Sequence, residues 1–192
     1  MQLCGAISAG NTERIEDLIA DGVDINAVGR ENVTPLLWAL QNDQFECFKL
    51  LLEHGANPNV EIHSHLNARG EIRRGDSVMH LAAGLHDIRF LKTLLDTQGD
   101  VDLISESLGN SVVHRVIASF ARDKEVRISL LVKHGCNLDV VNRSYFTPAI
   151  MAVRLGGQFD LAATLLRAGA DPHIWGGDMK LVHAVAGRDL DR

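Results

Sequence analysis

Thr34-Pro35-Leu36-Leu37-Trp38-Ala39-Leu40 opens, and Gly55-Ala56-Asn57-Pro58-Asn59 closes, the stretch whose reading decides the fold. A threonine hydroxyl can accept an orphan amide of a helix's first turn, and a proline directly after it sits where no amide donor is needed. A helix is therefore expected from 35 to about 41, with Asn42-Asp43 as the turn behind it. A second helix, from 45 to about 53, sets Phe48, Leu51 and Leu52 on one face by i, i+3, i+4 spacing. Gly55 stands just beyond that helix, where a left-handed residue ends it cheaply. Asn57-Pro58-Asn59 then turns the chain outwards.

The same unit comes back along the chain. An aliphatic pair recurs as Leu18-Ile19, Leu51-Leu52, Leu94-Leu95, Leu131-Val132 and Leu165-Leu166, at intervals of 33, 43, 37 and 34 residues. A helix-opening landmark moves with it: Thr34-Pro35, Ser77-Val78, Ser111-Val112, Thr147-Pro148 and Lys180-Leu181. Two landmarks drifting together near a period of 33 mark a tandem repeat. We divide the chain, as one domain, into repeats at 1–32, 33–75 with an insertion at 60–75, 76–109, 110–145, 146–178 and a partial 179–192. The expected helix pairs are 3–8 with 13–21, 77–83 with 88–97, 111 onwards with 125–134, and 147 onwards with 160–168. A terminal helix is expected from Lys180. Each such unit contacts only its neighbours, so the array has no single deep pocket and works through an extended face.

The pattern T-P-L-H-x-A-A, the aliphatic pair about 17 residues on and the closing G-A-D/N-x-N resemble the ankyrin repeat family over nearly the whole chain. The resemblance implies an all-α solenoid of antiparallel helix pairs linked by β-hairpin-like fingers, with a concave face made of fingers and first helices. It also gives the histidine at the fourth motif position a structural role, bonding the neighbouring finger backbone. Here that residue is kept as His80, His114 and His183 but is Leu37 and Ile150 elsewhere. Repeat three has Gln98 where its siblings have the helix-ending glycine, with Gly99 one residue late. A left-handed non-glycine costs about 1 kcal/mol, so that end is expected to be rearranged.

Two length changes stand out. About ten extra residues lie between Asn59 and Asp76, in the finger, and their alternation around Asn67-Ala68-Arg69-Gly70 reads as an elongated hairpin. In repeat four, Ser111 to Leu131 spans 20 residues against 17 in repeats two and three, with the excess near Ala121-Arg122-Asp123-Lys124.

Composition narrows the function. The net charge of −6 offers no basic face for nucleic acid or a membrane surface. Cys4, Cys47 and Cys136 show no CxxC or zinc spacing, which points to free thiols in a reducing, cytoplasmic compartment. No apolar run approaches the roughly 18 residues of a membrane span. Met1-Gln2-Leu3-Cys4-Gly5 lacks a basic start followed by an apolar stretch, so no signal peptide is expected. The chain opens inside a helix-like segment and stops soon after a sixth repeat begins, as one domain of a larger protein would.

No catalytic motif is present: there is no G-x-S-x-G, G-x4-G-K-[ST], H-E-x-x-H or G-x-G-x-x-G. Glu61-x-His63-x-His65 is the one cluster with a metal-like donor set, and solvated loop side chains are the simpler reading. No cofactor is implied. The expected function is a non-enzymatic protein-interaction module, monomeric, binding a protein partner through the concave face and the long finger. The alternatives are an inhibitor or immunity-type protein that blocks a partner enzyme, and a metal site in 60–75. Mapped by register from the resemblance, the partner-binding positions are Arg30, Trp38, Gln41, Arg73, Arg74, Asp76, Leu85, Arg115, Tyr145, Arg154 and Trp175. Trp, Tyr and Arg dominate interface energetics. Arg115 stands where the pattern wants a leucine, which suits a partner or a neighbouring acid.

Overall fold

The computed structural model describes residues 2–29, 33–62, 75–85, 87–155, 157–176 and 179–180. Among the described residues ten helices run in pairs: α1 (Gln2–Ser8) with α2 (Thr12–Ala20), α3 (Pro35–Gln41) with α4 (Phe45–Glu53), α5 (Val78–Gly84) with α6 (Ile88–Asp96), α7 (Val112–Ala118) with α8 (Lys124–Lys133), and α9 (Pro148–Arg154) with α10 (Phe159–Arg167). The strands are two residues each, β1 (Trp175–Gly176) antiparallel to β2 (Met179–Lys180). Lys180, expected to start a terminal helix, is thus a strand residue, and 181–192 lie outside the described residues.

The chain forms two compact units, Met1–Ala82 with Asp87–Asp100, and Ala83–His86 with Val101–Arg192. In the first, α1 stacks on α3, and α2, α4 and α6 stack in turn. In the second, α7 stacks on α9 and α8 on α10.

The helix starts follow from the capping residues. Thr34 and Thr147 accept the amides of Leu37 and Ile150 at 3.3 Å, each with a proline at the first helical position. Ser111 accepts from the His114 amide, and the His114 Nδ1 accepts from the Ser111 amide at 3.1 Å, a reciprocal cap. Ser77 and His80 repeat it, the Ser77 amide donating to His80 Nδ1 at 3.2 Å. With its Nδ1 accepting, His114 carries the proton on Nε2 and donates to the Phe146 carbonyl of the next repeat at 2.9 Å. That is the finger contact the resemblance implied.

The second helices all end alike. Val23, Ala56, Gly99, Cys136 and Ala170 donate their amides to Leu18, Leu51, Leu94, Leu131 and Leu165 at 2.9–3.2 Å. The residue before each donor has positive φ: 83° at Gly22, 86° at Gly55, 82° at Gly135 and 104° at Gly169. At repeat three the expected rearrangement does not occur. Gln98 takes φ 63° and Gly99 closes the helix as its siblings do. The reason is visible at Gly99: a Cβ there would stand 2.5 Å from Met79 Cε and 2.7 Å from the Leu94 carbonyl oxygen. Met79 fills the space that the Ala56 methyl group takes in the previous repeat, so the glycine went to the crowded position and the left-handed one kept a side chain.

Side-chain amides and carboxylates tie successive repeats within each unit. Asn26 Oδ1 accepts the Asn57 amide and Asn59 Oδ1 the Asp100 amide, both at 2.8 Å. Asp102 and Asp139 do the same for Asn137 at 2.7 Å and Asp171 at 2.9 Å. The core of the first unit is aromatic at its centre, with the Phe90 ring edge-on to Phe48 at 5.0 Å and to Phe45 at 5.3 Å.

Candidate interaction face

In the first unit, Trp38 is half-buried on α3, and its indole N–H donates to Ser8 Oγ at 2.9 Å. One end of the ring therefore joins two repeats while the rest is open. Gln41, at the end of α3, keeps an Nε2 that is buried with no partner among the described residues. Asp76 does not face outwards. It is 3% exposed, its carbonyl accepts the Ile62 amide at 2.7 Å, and its Oδ2 is enclosed. A side chain shut in at the base of the finger cannot be a contact residue, so Asp76 leaves the set. Arg30, Arg73 and Arg74 lie outside the described residues, as do His63 and His65 of the metal-like cluster. Glu61 bridges Ser77 across the finger base.

In the second unit, Leu85 and Arg115 are half-buried, and Arg154 and Tyr145 are exposed, Tyr145 at 68%. Arg115 lies across Gly84, where a Cβ would stand 2.9 Å from its Nε. A leucine would not reach as far, and glycine at the end of α5 makes the room. Arg154 sits over the Phe146 ring, its guanidinium carbon 5.2 Å from the centroid. Trp175 is in β1, its backbone paired with Lys180.

One buried feature escaped the sequence reading. Arg127 is fully buried in α8 at the register position occupied by Cys47, Phe90 and Leu161 in the sister helices. Its Nε bonds Asp123 Oδ1 at 2.7 Å and its guanidinium donates to the Ala83 carbonyl at 3.2 Å. Asp123 belongs to the three extra residues of the α7–α8 turn, so the insertion supplies the acid that permits the buried cation. The same turn places Lys124 Nζ on the Ile117 carbonyl at 2.7 Å and on Gln158 Oε1 at 2.9 Å. Burial pushes the Lys124 amine below its usual range. An arginine at an apolar register position beside an insertion containing Asp was the available signal.

Burial acts on the thiols as well. It raises all three, and Cys136 reaches about 11, pushed first by burial and then by the Asp102 carboxylate.

Residues 3–62 and 79–174 match the family model described as Ankyrin repeats (3 copies). The chain belongs to the ankyrin repeat family. It is similar to the ankyrin repeat protein YahD of Escherichia coli (strain K12), with 26% identity over 174 residues, covering 88% of this chain and 80% of that one. It is also similar to the nuclear factor NF-kappa-B p105 subunit of Gallus gallus, with 26% identity over 170 residues; these cover 88% of this chain but 16% of p105. The crystal structure of an ankyrin repeat domain from Acinetobacter baumannii AYE matches with a TM-score of 0.80 at 20% identity, over 98% of this chain and 92% of that one. The fold is therefore the all-helical ankyrin fold. Ankyrin repeats are generally protein-interaction modules and generally non-enzymatic. No helix among the described residues is long and apolar enough to cross a membrane.

Proposed function

We propose that this ankyrin repeat chain is a non-enzymatic, cytoplasmic, monomeric module that captures one protein partner through its finger tips and the open faces of its first helices. The observation that carries this reading is the finger where repeat four meets repeat five. There Tyr145 is 68% exposed and Arg154 is stacked on Phe146, so large side chains of the kind that anchor interfaces stand in water. Trp38, Gln41, Leu85 and Arg115 extend the contact set along the first helices. Arg30, Arg73, Arg74 and Trp175 extend it along the fingers.

The test is capture of a stoichiometric partner from source lysate by the intact chain, by Arg74→Glu with Tyr145→Ala, and by a chain lacking residues 60–75. The proposal expects the double variant to lose the partner while its helical circular dichroism is unchanged. Capture that survives both changes would place the contact on the opposite side and overturn the proposal. A captured enzyme that loses its activity would make the module an inhibitor.

A further inference from the structure

Lys124 is placed unlike the other lysines of the described residues. Lys49, Lys92 and Lys133 are exposed, and Lys49 pairs with Glu53 at 3.6 Å. Lys124 is half-buried at the start of α8, and no carboxylate among the described residues makes an ion pair with it. Its Nζ lies instead between two neutral oxygens, the Ile117 carbonyl at 2.7 Å and Gln158 Oε1 at 2.9 Å. The Gln158 amide is oriented by a bond of its own. Its Nε2 donates to the Leu155 carbonyl at 3.2 Å, which leaves the oxygen for the amine.

Two neutral acceptors suit a neutral amine. An ammonium has three protons to place and a charge that wants an acid; an amine has two protons, and these two oxygens take both. The lone pair then lies on the side of the nitrogen away from both oxygens. Burial acts in the same direction and lowers the amine below its usual range. The charged groups around it are Asp123, whose Oδ1 is 2.7 Å from Arg127 Nε, and Arg122, Glu125 and Asp160, which line the same cleft as Lys124.

That cleft gives a reactant access. It is open, has a volume of about 390 Å³, and lies between the α7–α8 turn and the start of α10, with Ala121, Val126, Phe159 and Leu161 among its walls. A space of this size takes a small ligand, and these four walls favour a hydrocarbon chain. A lysine desolvated beside apolar side chains is an activated nucleophile.

We propose that Lys124 is a site of covalent acylation by an acyl thioester. The Nζ lone pair attacks the thioester carbon. The carbon–sulfur bond breaks with its electron pair on sulfur, and one Nζ proton passes to the departing thiolate. The products are an amide on Lys124 and a free thiol. The acyl chain lies along Ala121, Val126, Phe159 and Leu161. The amide nitrogen keeps one N–H, so it cannot bond both the Ile117 carbonyl and Gln158 Oε1. Acylation therefore unties the end of α7 from the start of α10. The modification goes beyond partner capture and stands independently of it.

The experiment incubates the whole chain with S-hexanoyl-N-acetylcysteamine and follows acylation of each lysine by peptide mass spectrometry as pH is raised. At neutral pH, Lys124 should react at least about fivefold faster than Lys49, Lys92 or Lys133, because the rate follows the neutral fraction of the amine. Its rate should level off at a lower pH than in the chain unfolded in urea, where its lead over the other lysines should vanish. Gln158→Glu sets a carboxylate against the same amine and holds the proton on it. Lys124 should then slow at least about tenfold while the other lysines keep their rates. An amine buried for structure alone would react more slowly than the exposed lysines, which overturns the proposal. A lead that survives urea, or a Lys124 rate unchanged in Gln158→Glu, overturns it as well. Should that variant fail to fold, the wild-type pH profile decides: levelling off at the same pH folded and unfolded overturns the proposal.

Discussion

Exchanging Gln98 for glycine should stabilise this protein, although the substitution deletes a side chain and adds no contact. Gln98 sits at φ 63° with an exposed side chain, and the Gly99 amide behind it closes α6 onto Leu94 at 2.9 Å. A left-handed L-residue costs roughly 1–2 kcal/mol. Glycine removes that cost but gives back about 0.4–1 kcal/mol through the freer unfolded chain. The net gain is about 0.5–1 kcal/mol, or about 1–4 °C in melting temperature. Gly99→Ala is the counter-experiment. Its Cβ would lie 2.5 Å from Met79 Cε, which can swing aside, and 2.7 Å from the Leu94 oxygen, which cannot, because that oxygen accepts the residue's own amide. Overpacking of this kind costs about 1–3 kcal/mol. Urea unfolding followed by far-ultraviolet circular dichroism measures both shifts. Gln98→Gly that lowers the midpoint, or Gly99→Ala that leaves it in place, refutes the account of why repeat three carries its glycine one residue late.

Three further outcomes are expected. Asp123→Ala should cost about 2–3 kcal/mol, below the full value for a buried pair because Asp123 is 35% exposed, whereas Arg127→Met should cost less, since an apolar residue occupies that register elsewhere; a urea double-mutant cycle decides, and equal costs would sink the reading. Asn142→Ala should cost about 2–3 kcal/mol by orphaning the Ser144 and Phe146 amides and Asn110 Oδ1, with hydrogen exchange at Phe146 accelerated before global unfolding. Cys136, raised to about 11 from 9.0, holds its proton more tightly folded than unfolded. Its contribution to stability is therefore present below pH 9 and lost as pH climbs through 11. At pH 8 its alkylation in the native protein should be about a hundredfold slower than in urea, read by peptide mass spectrometry; equal rates would contradict the burial.

The repeat, its helix pairs and its caps were legible because they rest on local chemistry. Thr34-Pro35 starts a helix wherever it occurs, and Gly55 ends one, with spacing of 3.6 doing the rest. Repeat-by-repeat comparison also showed that Gln98 and the turn insertion were irregular, while Arg127 passed unnoticed. What it could not show was how each irregularity is resolved. Gln98 keeps the left-handed bend because Met79, nineteen positions away in sequence, fills the space beside Gly99. Arg127 is buried because Asp123 and the Ala83 carbonyl arrive from a turn and a previous repeat. Asp76 and Tyr145 both lie on fingers, yet one is enclosed at 3% and the other exposed at 68%. Local propensity set the helices; the placement of neighbours across repeats, through packing volume and hydrogen-bond partners, decided which side chains are available to meet another protein.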